Sequence, residues 1–166
     1  VMGGPAQAEE GVCGGIVGAS EENFKKSEVY LKTFCKDYFH FGEVGKGAKS
    51  KLLNNFFSLG AATYVIELIK SAKKLDVDLE KLFAVAKLGS GNSTALNRIF
   101  DNVLKGDYTG FKFSTANTLK DLTYIQEMLK DVGNAEKLAD VKKSFYKKAV
   151  DEGNGDLFIS ELIQKD

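Results

Sequence analysis

The spacing of apolar residues divides the chain into a short β-containing start and a long helical remainder. Near the start, apolar runs at 12–17 and 38–41 have the length of short strands, and a helix is predicted between them from Ser20 to about Cys35. Ser20 is a favourable N-cap because its hydroxyl can accept a hydrogen bond from the first helical turn. From Ala48 onward the apolar residues recur at the helical period. The pattern therefore predicts a β-α-β unit followed by a mostly α-helical domain.

Six helices are predicted in that domain. The first is the longest, and it is apolar on most of its circumference between Phe56 and Ile69, which predicts burial from several sides. Polar residues interrupt this run, so we expect it to be too short and too polar to span a bilayer. Asp78 and Asp156 are predicted N-caps, and Gly133 is the predicted C-cap of the fourth helix. The predicted ranges are 48–74, 78–88, 93–104, 114–132, 135–152 and 156–164.

Composition narrows the class of function. The 166 residues suffice for one domain, and 23 basic residues balance 23 acidic ones, so a nucleic-acid partner is not expected. No basic segment followed by an apolar run marks a secretory signal, so we expect a soluble cytoplasmic protein without a membrane partner. Cys13 and Cys35 are expected to be free thiols, and no His or Cys cluster has the spacing of metal ligands. Because the chain begins at Val1, at what resembles a strand end, we expect it to be a piece of a longer protein.

A polar stripe interrupts the long helix near its start. At about 100° per residue, one side of the helix carries Lys51, Asn55, Ser58 and Ala62. The neighbouring Lys46 and Lys49 fall on another side. Two interpretations stay open. The stripe is either a solvated surface, or the wall of a cleft in which a partly buried lysine transfers protons, since burial lowers the pKa of an ammonium group.

Three other features allow both a structural and a functional interpretation. Gly3 and Gly4 can form a plain turn, or they can bring backbone N–H groups close to a ligand. Lys120 lies opposite the apolar face of the fourth helix, so it is either a solvated charge or a group directed at something outside this domain. His40, the single histidine, fits a strand better than a catalytic role. No G-x-G-x-x-G fingerprint of a dinucleotide site follows any predicted strand.

Several segments together resemble the β-hydroxyacid dehydrogenases, the family of 3-hydroxyisobutyrate dehydrogenase, tartronate semialdehyde reductase and glyoxylate/succinic semialdehyde reductase. They cover nearly the whole chain in the family's order: MGGPAQAEEG, VCGGIVG, FGEVGKGAKSKLLNN, GSGNSTALNR and TLKDL. The resemblance implies an N-terminal Rossmann domain that carries the fingerprint missing here. It also implies an all-helical C-terminal domain of the 6-phosphogluconate dehydrogenase type, built around one long helix. Residues 1–45 would be the tail of the Rossmann sheet, and 46–166 the helical substrate and dimerisation domain.

The resemblance also implies roles for single residues. Lys51 matches the family's catalytic lysine, and Asn55 matches the asparagine one turn later that helps to place the substrate. Gly3 and Gly4 match the glycine pair whose backbone holds the substrate carboxylate. Lys120 matches the lysine that lies near the cofactor. These positions are the predicted site.

Met2 departs from the family pattern, which usually has a serine before the two glycines. The loss of a hydroxyl donor there predicts a bulkier or less polar substrate than a typical short hydroxyacid.

The implied reaction is reversible hydride transfer between NAD or NADP and a β-hydroxyacid or the corresponding semialdehyde. Lys51 would be the general acid and base, and the assembly would be a homo-oligomer, a dimer or a tetramer. These 166 residues alone are expected to be inactive. The alternative is a non-catalytic oligomerisation or binding domain of the same fold, in which we would expect another residue at position 51. A third possibility, imine reduction on the same scaffold, would also favour a residue other than lysine at this position. Lys51 is present.

Overall fold

The computed structural model describes residues 1–3 and 5–165, with only the backbone of residues 5 and 6. The chain forms two compact units, Val1–Asn54 and Asn55–Asp166. The boundary between these units falls inside the long helix, nine residues after the boundary predicted between 45 and 46. The first two turns of that helix therefore group with the β-containing unit.

The first unit contains the predicted β-α-β arrangement. Strands β1 (Cys13–Val17) and β2 (Cys35–His40) pair in parallel, and helix α2 (Glu21–Leu31) connects them. A parallel pair requires such a crossover, because a short turn cannot return the chain to the same end of the sheet. A short helix, α1 (Pro5–Glu9), precedes β1. This helix was not predicted, because its five residues are too few to show a helical period.

The second unit consists of helices, together with most of the long helix α3 (Lys46–Lys74). This agrees with the prediction of a mostly α-helical fold around one long helix. The remaining helices are α4 (Leu79–Leu88), α5 (Thr94–Val103), α6 (Thr115–Met128), α7 (Gly133–Asp151) and a terminal 3₁₀ helix (Ile159–Gln164).

Two predicted helix ends are wrong. Helix α6 ends at Met128 with Leu129 as its C-cap, so Gly133 does not cap it, and Gly133 is instead the first residue of α7. Asp156 does not cap the last helix, because that helix begins only at Ile159. The chain between them is extended at Phe158, and the Leu157 carbonyl accepts a hydrogen bond from Thr115 N at 2.8 Å. Sequence periodicity does not register such a contact between distant segments.

The core of the second unit is apolar and closely packed. Phe83 and Phe100 stack with their ring centroids 4.9 Å apart. The buried Tyr146 hydroxyl bonds to Thr63 Oγ1 at 2.7 Å, and Thr63 in turn donates to the Leu59 carbonyl. Burial raises the pKa of Tyr146, so this phenol stays protonated. The side chains with no exposed surface include Ala62, Ile66, Ile69, Ile99, Phe100, Leu122, Ile125, Tyr146 and Ile159.

Helix α3 is long and apolar enough to cross a bilayer by length and composition, with a mean hydropathy of 1.3 over 18 residues. This differs from the expectation that its apolar run would be too short and too polar. The core helix of a soluble protein passes the same test, and 39% of this segment is buried inside the protein. A single such helix is therefore weak support for a membrane span.

Candidate functional site

The start of α3 is positioned by direct contact between two backbones. A Cβ added to Gly47 would lie 2.6 Å from the amide nitrogen of Gly18, and a Cβ on Gly18 would lie 2.5 Å from the amide nitrogen of Gly47. The two glycines therefore let the end of β1 touch the first turn of α3. Gly42 and Gly45 have φ values of +95° and +90°, which glycine adopts at little cost, and they turn the chain into the helix.

Lys51 differs from its neighbouring lysines. Its side chain is partly buried, whereas Lys46 and Lys49 are exposed. The ammonium group donates to the thioether of Met2, with 3.3 Å between Lys51 Nζ and Met2 Sδ. Asn54, one turn further along the same face, donates to the same sulfur at 3.4 Å. The structure thus places two N–H donors of α3 around one point in the first unit.

The segment that carries Met2 is held by the sheet. Met2 and Gly14 form an isolated antiparallel bridge, with Met2 N donating to Gly14 O at 2.7 Å and Gly14 N donating to Met2 O at 2.9 Å. Gly3 follows with a φ of +117°, and a Cβ there would lie 3.0 Å from Gln7 Cβ. Gly4, the second glycine of the predicted pair, lies outside the described residues. Gly3 is therefore needed for backbone conformation whether or not it binds a ligand.

Asn55 and Lys120 meet a common carboxylate in the second unit. Asn55 Nδ2 donates to Asp121 Oδ2 at 2.8 Å, and Lys120 Nζ lies 3.4 Å from Asp121 Oδ1. The Asp121 side chain is only 15% exposed, whereas that of Lys120 is 55% exposed. Asp121 thereby determines which way the Asn55 amide faces. The sequence pattern did not predict this contact, since no local pattern pairs residues 55 and 121.

The other polar candidates have structural partners. His40 ends β2, its Nε2 lies 2.7 Å from the Ala19 carbonyl oxygen, and its ring stacks on Phe24 with centroids 4.4 Å apart. Cys13 and Cys35 are buried free thiols, as expected. Burial and the nearby Cys13 raise the pKa of Cys35, which disfavours the nucleophilic thiolate. Over residues 1–3 and 5–165, no group of three or more His, Cys, Asp or Glu side chains could hold a metal ion.

Comparison with known proteins places this geometry in a family. Residues 45–165 match the family described as the NAD-binding domain of NADP-dependent 3-hydroxyisobutyrate dehydrogenase. Among curated proteins, a probable mitochondrial 3-hydroxyisobutyrate dehydrogenase of Dictyostelium discoideum is 28% identical over 162 residues, covering 93% of this chain and 50% of that protein. The 2-(hydroxymethyl)glutarate dehydrogenase of Eubacterium barkeri is 30% identical over 111 residues, covering 66% of this chain and 37% of that protein.

A solved structure shows the same architecture. The 3-hydroxyisobutyrate dehydrogenase of Mycobacterium tuberculosis, solved with L-serine, superposes with a TM-score of 0.84 at 25% identity, covering 98% of this chain and 57% of that one. This chain thus spans about half the length of the relatives that it matches. The match over residues 45–165, together with the helical fold around α3, establishes that this chain belongs to the NAD-binding family of NADP-dependent 3-hydroxyisobutyrate dehydrogenases.

Proposed function

We propose that these residues are part of an NAD(P)-dependent oxidoreductase that transfers hydride between a nicotinamide cofactor and a β-hydroxyacid or its semialdehyde. The observation that carries this proposal is the position of Lys51. It is partly buried on a helix whose start is fixed against β1, and its ammonium converges with the Asn54 amide on one point. The similar proteins named as hydroxyacid dehydrogenases support the class of reaction.

Lys51 is proposed to be the general acid and base. A lysine suits this role because its amine can both take and return a proton. During oxidation Lys51 takes the proton of the substrate hydroxyl, and during reduction it returns a proton to the carbonyl oxygen. Because Gly47 packs on Gly18, the base of the helix cannot shift freely, so the position of the ammonium depends mainly on its own side chain.

Asn55 and Asp121 are proposed to orient the reacting oxygen. Asn55 follows Lys51 by one turn of α3, and its amide is held by the Asp121 carboxylate at 2.8 Å. A fixed amide loses less conformational entropy on binding than a mobile one, which is the advantage of a preorganised site. In this proposal Asp121 acts through Asn55 and touches no substrate, while Gly3 and Gly4 hold the substrate carboxylate through their backbone.

Lys120 is the proposed cofactor contact. Its side chain is 55% exposed, so its ammonium can reach an anionic or carbonyl oxygen of NAD or NADP while remaining close to Asp121. When bound, the nicotinamide accepts hydride in oxidation and donates it in reduction. We propose that the dinucleotide fingerprint lies in a further domain of a longer chain, because none occurs in these residues and the relatives are about twice as long.

The proposed assembly is a homo-oligomer. Phe57 and Tyr64 of α3 are 77% and 69% exposed, and their spacing of seven residues puts them on one side of the helix. Large exposed apolar side chains on one side of a helix are typical of a protein–protein interface. The cytoplasmic location remains a prediction.

Replacement of the proposed base tests the function. In the full-length protein, Lys51→Ala is expected to lower kcat by about 10²–10⁴-fold, the usual contribution of a positioned general acid or base. Binding of NAD or NADP, measured by fluorescence titration, should change little, because Lys51 is not proposed to contact the cofactor. Lys49→Ala is the matched control, since Lys49 is an exposed lysine on the same helix. Near-normal turnover in Lys51→Ala would contradict the assignment.

A further inference from the structure

A groove of about 260 Å³ lies in the second unit, between the later half of α3, the end of α7 and the last residues of the chain. Three of its residues on α3 are Glu67, Lys70 and Lys74, which are spaced three and four residues apart and so share one side of the helix. Phe145 and Leu162 add apolar surface to the lining. None of the lining residues belongs to the proposed catalytic site, so this groove is a separate feature of the molecule.

The lining of this groove is positively charged. Among the described residues that line it, four are lysines and two are glutamates, which leaves an excess of two positive charges. The formal net charge of the whole chain is zero, so this excess is local and does not reflect a basic protein. Like charges around one groove repel one another, and the field that they share favours an anion.

Most of these ammonium groups lack an acidic neighbour. Lys148 lies 3.6 Å from Glu152, and this pair is the ion pair that the described residues form at the groove. Within the described part of the chain, Lys70, Lys74 and Lys165 form no ion pair. Three cations from two separate segments are thus available to a ligand, which suits a molecule with at least two acidic groups.

Glu67 brings an acceptor to the same groove. Its Oε1 is buried and has no hydrogen-bond partner among the described residues. A buried oxygen without a partner destabilises a protein, so a donor supplied by a ligand would be favourable. Rotation about the last side-chain bond exchanges the two carboxylate oxygens, and its energy profile is broad. The donor is best a neutral hydroxyl group, because the surrounding lysines would repel a cationic donor.

We propose that this groove binds a small polyanion that carries a hydroxyl group. Lys70, Lys74 and Lys165 hold its acidic groups, and Glu67 accepts a hydrogen bond from its hydroxyl group. The ligand is small, because the volume lies below the range of about 300–1,000 Å³ that is usual for drug-sized ligands. Carboxylates and phosphates are both suitable, since the ammonium of lysine acts on either as a point charge.

Calorimetric titration of the full-length protein with citrate tests the role of the lysines. The double variant Lys70→Gln/Lys165→Gln should bind citrate at least about tenfold more weakly, because each lysine makes a charge-assisted contact. The control Lys105→Gln/Lys137→Gln has the same net charge and replaces two exposed lysines outside the groove, so its affinity should stay within about twofold. Equal weakening in both variants, or no binding at about 10 mM citrate, above the dissociation constant of even a millimolar site, would overturn the proposal.

Tricarballylate tests the role of Glu67, since it is citrate without the hydroxyl group. The unsubstituted protein should bind citrate at least about threefold more tightly than tricarballylate, a modest share of what a hydrogen bond to a charged group contributes. Glu67→Gln should reduce this preference, because a neutral amide is a weaker acceptor than a carboxylate. Equal affinities for the two anions in the unsubstituted protein would overturn the contact with Glu67.

A parallel titration with glycerol 2-phosphate distinguishes the two kinds of acidic group. Binding of either anion that is weakened by Lys70→Gln/Lys165→Gln, and not by the control pair, supports the groove as an anion site, and the tighter anion identifies the preferred group. These measurements require no turnover and no cofactor. Their outcome is therefore independent of the proposed hydride transfer and of Lys51.

Discussion

Lys142 shows how strongly one residue can be affected by its surroundings. Its Nζ donates to the Phe56 carbonyl at 3.0 Å and lies 3.6 Å from the centroid of the Phe56 ring. Lys142 also passes close to Gly60, where an added Cβ would lie 3.0 Å from Lys142 Nζ. Burial lowers the pKa of Lys142 from 10.5 to about 8. The ammonium therefore loses more from removal of water than it regains from these contacts.

The lowered pKa predicts a specific dependence of stability on pH. In the unfolded chain Lys142 binds its proton up to about pH 10.5, and in the folded protein only up to about pH 8. Between these values the unfolded state holds more protons, so the contribution of Lys142 to the free energy of unfolding rises with pH. Relative to Lys142→Met, the unsubstituted protein should become more stable from pH 8 to pH 10 in urea denaturation. The same comparison with Lys147→Met, whose lysine is 60% exposed, should show a much smaller slope; equal slopes would contradict the prediction.

The burial of single residues was predictable where it depends on the helical period, whereas their contacts with distant residues were not. The angular position of Lys51 separated it from Lys46 and Lys49, and the structure shows Lys51 partly buried and the other two exposed. Its partner Met2 lies 49 positions away, and Asp121 lies 66 positions from Asn55. A local pattern carries no information about such pairs, since tertiary packing alone brings them together.

At the scale of elements, the junction between β1 and α3 depends on two glycines. In most helices alanine is more favourable than glycine by about 1 kcal/mol, because glycine has more freedom to lose. At Gly47 a steric clash would outweigh the higher helix propensity of alanine. A Cβ there would lie 2.6 Å from Gly18 N and 2.9 Å from the carbonyl carbon of Val17. The backbone atoms of a strand cannot move aside as a side chain can.

Gly47→Ala is therefore expected to destabilise the protein. An overpacked contact of this kind costs about 1–3 kcal/mol, which should appear as a lower free energy of unfolding in urea. Gly60→Ala is the matched control on the same helix, because its added Cβ would meet only the flexible end of Lys142. Its effect should stay within about 1 kcal/mol, given the gain in helix propensity. A Gly47→Ala variant as stable as the unsubstituted protein would show that this contact can relax.

Some predicted helix limits agree with the structure and others do not. Ser20, Asp78 and Ser93 each accept a hydrogen bond from a backbone N–H three residues on, as expected of N-caps. The end predicted at Gly133 was wrong because the C-cap of α6 lies four residues earlier, at Leu129, and the chain uses the glycine to begin α7. The caps at Ser20, Asp78 and Ser93 depend on neighbouring residues, whereas the limits predicted at Gly133 and Asp156 also depend on where other segments of the chain pack.

For the whole molecule, the family is established, whereas the enzymatic activity is a proposal. The fold and the match over residues 45–165 establish the family, and they concern about half the length of its relatives. Lys51 is proposed to transfer a proton and Asn55 to hold the reacting oxygen, but hydride transfer also needs a bound nicotinamide. Dinucleotide sites of this kind depend on a glycine-rich turn at a helix N-terminus, and no such fingerprint occurs in these 166 residues.

The 166-residue polypeptide alone is therefore expected to fold but not to turn over hydroxyacids. Far-UV circular dichroism should show a mostly helical protein, while the absorbance of reduced nicotinamide should not change with 3-hydroxyisobutyrate and either NAD or NADP. The full-length protein under identical conditions is the positive control, and its Lys51→Ala variant sets the background rate. Turnover by the short polypeptide above that background would mean that these residues bind the cofactor without a further domain. Inactivity of the full-length protein on every hydroxyacid tried would instead favour a non-catalytic role.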